Sequence, residues 1–96
     1  MELAREMGLD VLVTQAIGIV AADMDGEKVM LNIDDGKYFG MDSIGSRIWE
    51  LIERQHSVRD VVRLLQKDYE VDEKTCQDDT LTFLSILHTK GLVTID

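Results

Sequence analysis

The chain has 96 residues, which is enough for one small domain with a single core. Nineteen acidic residues against ten Lys plus Arg give a net charge of −9, which argues against a protein that binds the phosphate backbone of a nucleic acid. No apolar run is long enough to span a bilayer, and one cysteine excludes an internal disulfide, so we expect a cytoplasmic protein.

The first third of the chain has the pattern of strands. Asp25-Gly26 predicts a tight hairpin between residues 18–24 and 27–33. In the second of these strands Val29, Leu31 and Ile33 alternate with other residues, which predicts an apolar face that contributes to the core.

A second turn and a short third strand complete this part of the chain. Gly36 follows two aspartates in the turn, and residues 37–41 are expected to form the strand, giving a three-stranded antiparallel meander. Residues 1–17 precede the main domain, which we place at 18–96. Within this lead-in, residues 11–15 fit either an extra strand or a flexible segment.

Helical spacing begins at residue 42. Asp42 or Ser43 is expected to cap a first helix that ends near residues 55–56, and Gly45 in its first turn predicts a close backbone approach. Ser57 is expected to cap a second helix and Asp72 a third, which ends at Gly91. Residues 92–95 are expected to be only an extended tail. The predicted class is α+β, a winged helix-turn-helix-like fold with a three-stranded antiparallel sheet followed by three helices.

The inventory of reactive side chains predicts no enzyme, no metal site and no cofactor. Cys76, His56 and His88 are far apart, and Cys76 lies on the apolar stripe of the third helix, as expected for a small core residue. Cys76 and His88 are twelve positions apart on one helix, about 18 Å of rise, which is too far for a nucleophile and its base. Trp49 is expected to be in the core or in a seam between helix and sheet.

Two binding hypotheses follow from this fold. A winged helix could bind DNA, but residues 72–90 carry a net charge of −2, which disfavours phosphate contacts. Alternatively, the short third strand is an unblocked sheet edge that can accept an extended peptide as a further strand, with the third helix as a wall. The same edge would also allow edge-to-edge or strand-swapped dimers.

Several separated blocks resemble the PqqD-like family. They are residues 23–32 (DMDGEKVMLN), 36–41 (GKYFGM) and 45–52 (GSRIWELI), with Val61-Val62, Leu65, Tyr69, Asp79, Phe83-Leu84, Leu87 and Gly91-Leu92 in the second half. The hairpin and the Gly-Lys-Tyr block are most similar to stand-alone subunits of lasso-peptide biosynthesis. The resemblance covers roughly residues 18 to 95. Met41 and Asp42 depart from a frequent Leu-Asn pair, and Ile86 from a position that is often polar.

The resemblance implies a non-catalytic adaptor that recognises the leader of a ribosomally made precursor peptide. The leader would add antiparallel to the third strand and be delivered to a separate leader peptidase before a cyclase acts. The alternative within the family is a PqqD-type peptide chaperone in quinone-cofactor biosynthesis. An expected Tyr-x-x-Pro element of the leader would enter an apolar pocket lined by Phe39 or Phe83. The implied peptide-binding residues are Lys37, Tyr38, Phe39, Gly40, Met41, Asp79, Thr82, Phe83 and Ile86.

Overall fold

The computed structural model describes residues 7–25 and 27–96 and contains two small sheets and three helices. The strands are β1 (Leu12–Gln15), β2 (Ile19–Met24), β3 (Glu27–Asn32), β4 (Tyr38–Gly40), β5 (His56–Ser57) and β6 (Val93–Ile95). The helices are α1 (Ser43–Leu51), α2 (Val58–Asp68) and α3 (Glu73–Thr89). Residues 1–6 of the lead-in and Gly26 of the predicted hairpin turn lie outside the described residues.

The predicted meander is present, as strands β2, β3 and β4 in antiparallel order. Met24 pairs with Glu27, and Asp25 has a φ of +58°, the left-handed conformation that a tight turn of this kind requires. Gly36 has a φ of +71° in the following turn. At Asp25 and at Gly36 the backbone therefore has the positive φ that the sequence predicts.

The face of β3 that meets the core is not the one that the sequence pattern indicated. Met30 is completely buried, whereas Leu31 is 36% and Ile33 60% exposed. Alternation determines which residues share a face, but both faces of β3 carry apolar side chains, so it does not determine which face packs inward. The packing of α1 decides this, and Ser46 of α1 accepts a hydrogen bond from the Lys28 N–H at 2.8 Å.

A second sheet, in the order β5-β1-β6, joins the two ends of the chain. Of residues 11–15, which the sequence left open, Leu12–Gln15 form β1. The expectation that residues 92–95 are only a tail is wrong, because Val93, Thr94 and Ile95 pair with β1. A three-residue segment gains strand structure when a partner strand is already in place, which local sequence does not reveal.

The helix caps follow the sequence closely. Asp42 accepts from the Gly45 N–H, Ser57 from the Asp60 N–H and Asp72 from the Thr75 N–H. Helix α1 ends earlier than predicted, at Leu51. The core lies where the helices meet both sheets, and its buried apolar members are Val13, Met30, Met41, Ile48, Trp49, Ile52, Val58, Val61, Val62, Leu65, Cys76, Leu84, Leu87, Leu92 and Val93.

Candidate functional site: an open strand edge beside a groove

Strand β4 is an edge strand, since among the described residues it pairs only with β3. The N–H of Met41 bonds to the carbonyl of Lys28, and the N–H of Asn32 bonds to the carbonyl of Lys37, both at 2.9 Å. Hydrogen-bonded and non-bonded pairs alternate in an antiparallel ladder. The backbone groups of Tyr38 and Gly40 therefore point away from β3, which leaves two donors and two acceptors at this edge.

A groove of about 720 Å³ lies next to this edge, between the end of β4, the start of α1 and one flank of α3. It brings together six of the nine residues expected to bind a peptide. Those six are Gly40, Met41, Asp79, Thr82, Phe83 and Ile86. A neighbouring hollow of about 700 Å³ shares Thr82 and Ile86 and continues along α3 to Lys90. The concave surface thus follows most of the length of α3.

The other three expected residues, Lys37, Tyr38 and Phe39, do not line the groove. Lys37 and Tyr38 are exposed, and Tyr38 projects from the opposite side of the sheet. Phe39 is half-buried against the core, with Lys90 Nζ 5.5 Å from the centre of its ring. Of the two phenylalanines expected in an apolar pocket, the structure places Phe83 in the groove lining.

Sequence reasoning missed the wall formed by α1 and the α2–α3 loop. Ile44, Tyr69 and Val71 line the groove, and none of them is among the residues that the sequence predicts to bind a peptide. The sequence predicts that another backbone packs closely against Gly45, but the neighbour is the Phe83 side chain. A Cβ at position 45 would lie 2.9 Å from Phe83 Cζ, so only glycine leaves room for this ring. A glycine in the first turn of a helix indicates that some group packs against it, but only the tertiary fold determines which group that is.

Cys76 and Thr80 form part of the groove floor, and both are buried. The Cys76 thiol lies 3.9 Å from the Val62 carbonyl and 4.0 Å from the Thr80 hydroxyl. Burial raises the pKa of this thiol, and the nearby Asp79 and Asp72 charges raise it further. A thiol that is held protonated is a poor nucleophile, so the floor of the groove is suited to packing.

The side of the meander that faces away from the core is apolar as well. We call this surface the outer face. Its exposed large side chains are Val20, Met24, Leu31 and Tyr38, together with Ile33, which directly follows β3 and continues its alternation. An exposed apolar surface shared by three strands is typical of a site of protein contact.

Comparison with known proteins places this arrangement in a family. The model of the family described as Coenzyme PQQ synthesis protein D (PqqD) matches residues 27–93, which include both the β4 edge and the groove. The chain belongs to the PqqD family. A search of curated proteins finds no match to this PqqD-family chain.

Two solved structures share the PqqD-family fold of this chain. One is described as "TbiB1 in Complex with the TbiA(beta) Leader Peptide", with 36% identity and a TM-score of 0.78, covering 83% of this chain and 93% of that one. The other, "Lasso peptide synthetase B1 complexed with the leader peptide", has 23% identity and a TM-score of 0.76, covering 85% and 96%. The second shows likeness of fold alone.

Within the described part of this PqqD-family chain, no group of three or more His, Cys, Asp or Glu side chains is arranged to hold a metal ion. None of its described helices is long and apolar enough to cross a membrane.

Proposed function

We propose that this protein is a leader-peptide recognition subunit of lasso-peptide biosynthesis. It binds the leader of a precursor peptide as an additional strand on β4 and delivers it to a separate leader peptidase. TbiB1, which is 36% identical over most of its length, is described in complex with a leader peptide, which supports the ligand class.

The observation that carries this proposal is the unpaired edge of β4 beside the groove. The N–H and C=O groups of Tyr38 and Gly40 match the ladder that an extended peptide needs, and backbone pairing supplies affinity for any sequence. Successive side chains of the added strand alternate between faces. Those on the inner side reach the groove lined by Ile44, Phe83 and Ile86, where apolar leader side chains are selected.

Two edge variants test the pairing. Gly40→Pro removes an outward-facing donor of β4, whereas Gly40→Ala retains it, and no atom lies within 4 Å of the Cβ that either would add. The probe is the TbiA(beta) leader peptide, with affinity measured by calorimetry. We expect Gly40→Pro to weaken binding at least tenfold and Gly40→Ala to change it less than threefold.

The control uses the other edge of the same sheet. The N–H of Ile33 bonds to the carbonyl of Gly18, so alternation directs the N–H of Ala21 away from β3. Ala21→Pro should therefore leave leader affinity unchanged. Equal loss of affinity in the Ala21→Pro and Gly40→Pro variants, or unchanged binding by a folded Gly40→Pro variant, would contradict strand addition to β4.

The outer face supports the delivery role. It lies on the opposite side of the sheet from the groove, so a second protein can dock there while the leader is bound. A leader strand on β4 would extend this apolar face with its own outward side chains. Val20→Asp with Ile33→Asp should retain leader affinity but lower leader cleavage by the separate peptidase at least tenfold. Unchanged cleavage would contradict docking on this face.

The proposal includes no catalytic role for this chain. The one candidate nucleophile, Cys76, is buried and its pKa is raised, which supports an adaptor that depends on a partner for cleavage. Purified protein incubated with the leader peptide should leave it intact. Cleavage by the protein alone, lost in a Cys76→Ala variant, would contradict the proposal.

The family description favours one alternative, a peptide chaperone of quinone-cofactor biosynthesis. The two functions differ in the peptide bound. Affinity for the TbiA(beta) leader well above that for a precursor of the quinone-cofactor pathway supports the lasso-peptide role. The opposite order supports the alternative.

A further inference from the structure

Gly45, the third residue of α1, stands at a position where the backbone does not require glycine. It lies in a regular helix and is not among the glycines with positive φ, so alanine could adopt the same conformation and would favour the helix more. The missing side chain instead provides space, because a Cβ at position 45 would lie 2.9 Å from Phe83 Cζ and 3.2 Å from Phe83 Cε1. The tip of the Phe83 ring therefore occupies a gap in the surface of α1, which we call the glycine notch.

The start of α1 is fixed, whereas the ring has room to move. Ser46 is buried, and its hydroxyl accepts a hydrogen bond from the Lys28 N–H of β3 at 2.8 Å. One turn further on, Ile48 is only 3% exposed in the core. Close packing on that side prevents α1 from withdrawing. The Phe83 ring is half-buried and borders the open groove, so a larger residue at position 45 would displace the ring towards the groove.

We propose that Gly45 is a positioning residue for ligand selection. By holding the Phe83 ring in the glycine notch, it keeps the groove wide enough for a large apolar side chain of the leader. This inference rests on the proposed function, because Gly45 and Phe83 line the same groove of about 720 Å³ beside β4. In a well-packed site a single added methyl group is enough to force a side chain out of place, so the identity of residue 45 sets the size of side chain that fits.

The test compares two peptides on the Gly45→Ala variant, with affinity measured by calorimetry. Each large apolar residue of the TbiA(beta) leader peptide is replaced in turn by alanine. The replacement that most weakens binding to the unaltered protein identifies the side chain in the groove, and we call that peptide the truncated leader. Gly45→Ala should bind the full leader about tenfold more weakly than the unaltered protein does. Its affinity for the truncated leader should change less than about twofold, because a methyl group fits beside the displaced ring.

A second pair of variants shows whether the ring carries the effect. Leucine lacks Cε1 and Cζ, the two atoms of Phe83 that a Cβ at position 45 would meet, whereas Asp42 Oδ1, which is 3.2 Å from that Cβ, is unchanged. Adding Gly45→Ala to Phe83→Leu should therefore change affinity for the full leader less than about twofold. Crowding of the Asp42 cap would give the same loss with either residue at position 83.

The matched control is Ser43→Thr. It adds one methyl group to the same turn of α1, at an exposed position that does not line the groove. The ratio of affinities for the full and truncated leaders should stay as it is in the unaltered protein.

Thermal unfolding establishes first that each variant is folded. If Gly45→Ala does not fold, Phe83→Tyr makes the same test, because its hydroxyl extends from Cζ into the glycine notch and pushes the ring the same way. Phe83→Tyr should also lose affinity for the full leader and not for the truncated one, and an unchanged ratio in this folded variant would then overturn the inference.

Three results with a folded Gly45→Ala variant would overturn the inference while leaving leader binding intact. They are unchanged affinity for the full leader, equal losses for the full and truncated leaders, and an equal loss when Gly45→Ala is added to Phe83→Leu. Failure of the unaltered protein to bind the full leader would overturn the proposed function, and this inference with it.

Discussion

Truncation of Met30 and of Ile33 tests which face of β3 belongs to the core. Both substitutions to alanine remove three heavy atoms beyond Cβ, so the chemical change is matched in size. Met30 is fully buried, whereas Ile33 is 60% exposed. At about 0.8 kcal/mol per buried methylene-sized group, Met30→Ala loses about 2.4 kcal/mol, and the cavity left behind brings the cost to about 3 kcal/mol. Because only about two-fifths of the Ile33 side chain is buried, Ile33→Ala loses about two-fifths of the burial free energy of about 2.4 kcal/mol, which is about 1 kcal/mol.

Urea and thermal unfolding measure both free-energy changes. For a domain of this size, 1 kcal/mol corresponds to a shift of about 4–8 °C in Tm, so the two variants should be clearly separated. If Met30→Ala does not fold, Met30→Leu nearly conserves volume and should cost less than about 1.5 kcal/mol. An Ile33→Ala variant as unstable as Met30→Ala would refute the assignment of the inner face.

Two further predictions concern titratable groups. The hydrogen bond from the Thr75 N–H lowers the pKa of Asp72, so the charged form is favoured in the folded state and its stabilising effect is lost as pH falls through that lowered pKa. Unfolding measured at pH 6 and pH 3 should show a smaller acid-induced loss for Asp72→Asn than for the unaltered protein, and equal losses would contradict this. In the folded protein Cys76 should react with a thiol reagent much more slowly than it does in the urea-unfolded protein, because it is buried in the groove floor. Bound leader peptide should slow the reaction further. If Cys76 in the folded protein reacted as fast as in the unfolded protein, its burial in the groove floor would be contradicted.

The sequence predicted the features that depend on neighbouring residues. Asp42, Ser57 and Asp72 cap their helices because a short polar side chain can reach a backbone N–H three residues ahead within its own segment. The turn at Gly36 follows from the backbone freedom of glycine. The order of the three meander strands and the three helices therefore followed from local pattern, and the resemblance of separated blocks indicated the family.

The candidate site was predictable only in part. Strand β4 could be recognised as a short edge, and α3 as its neighbour, but the contributions of Ile44, Tyr69 and Val71 to the groove could not. Tyr69 and Val71 are far from β4 along the chain, and Ile44 follows it in a different element. Their positions follow from how α1 and the α2–α3 loop pack.

What the sequence by itself determined is the three strands of the meander, the three helices with their N-terminal caps, the turns and the strong acidity of the chain, because each depends on composition or on residues a few positions apart. Tertiary structure alone decided that Met30 faces inward, that Val93 pairs with β1, and that Tyr69 and Val71 line the groove beside β4. Such relations depend on which surfaces pack together to bury the most apolar area, a property of the whole folded chain.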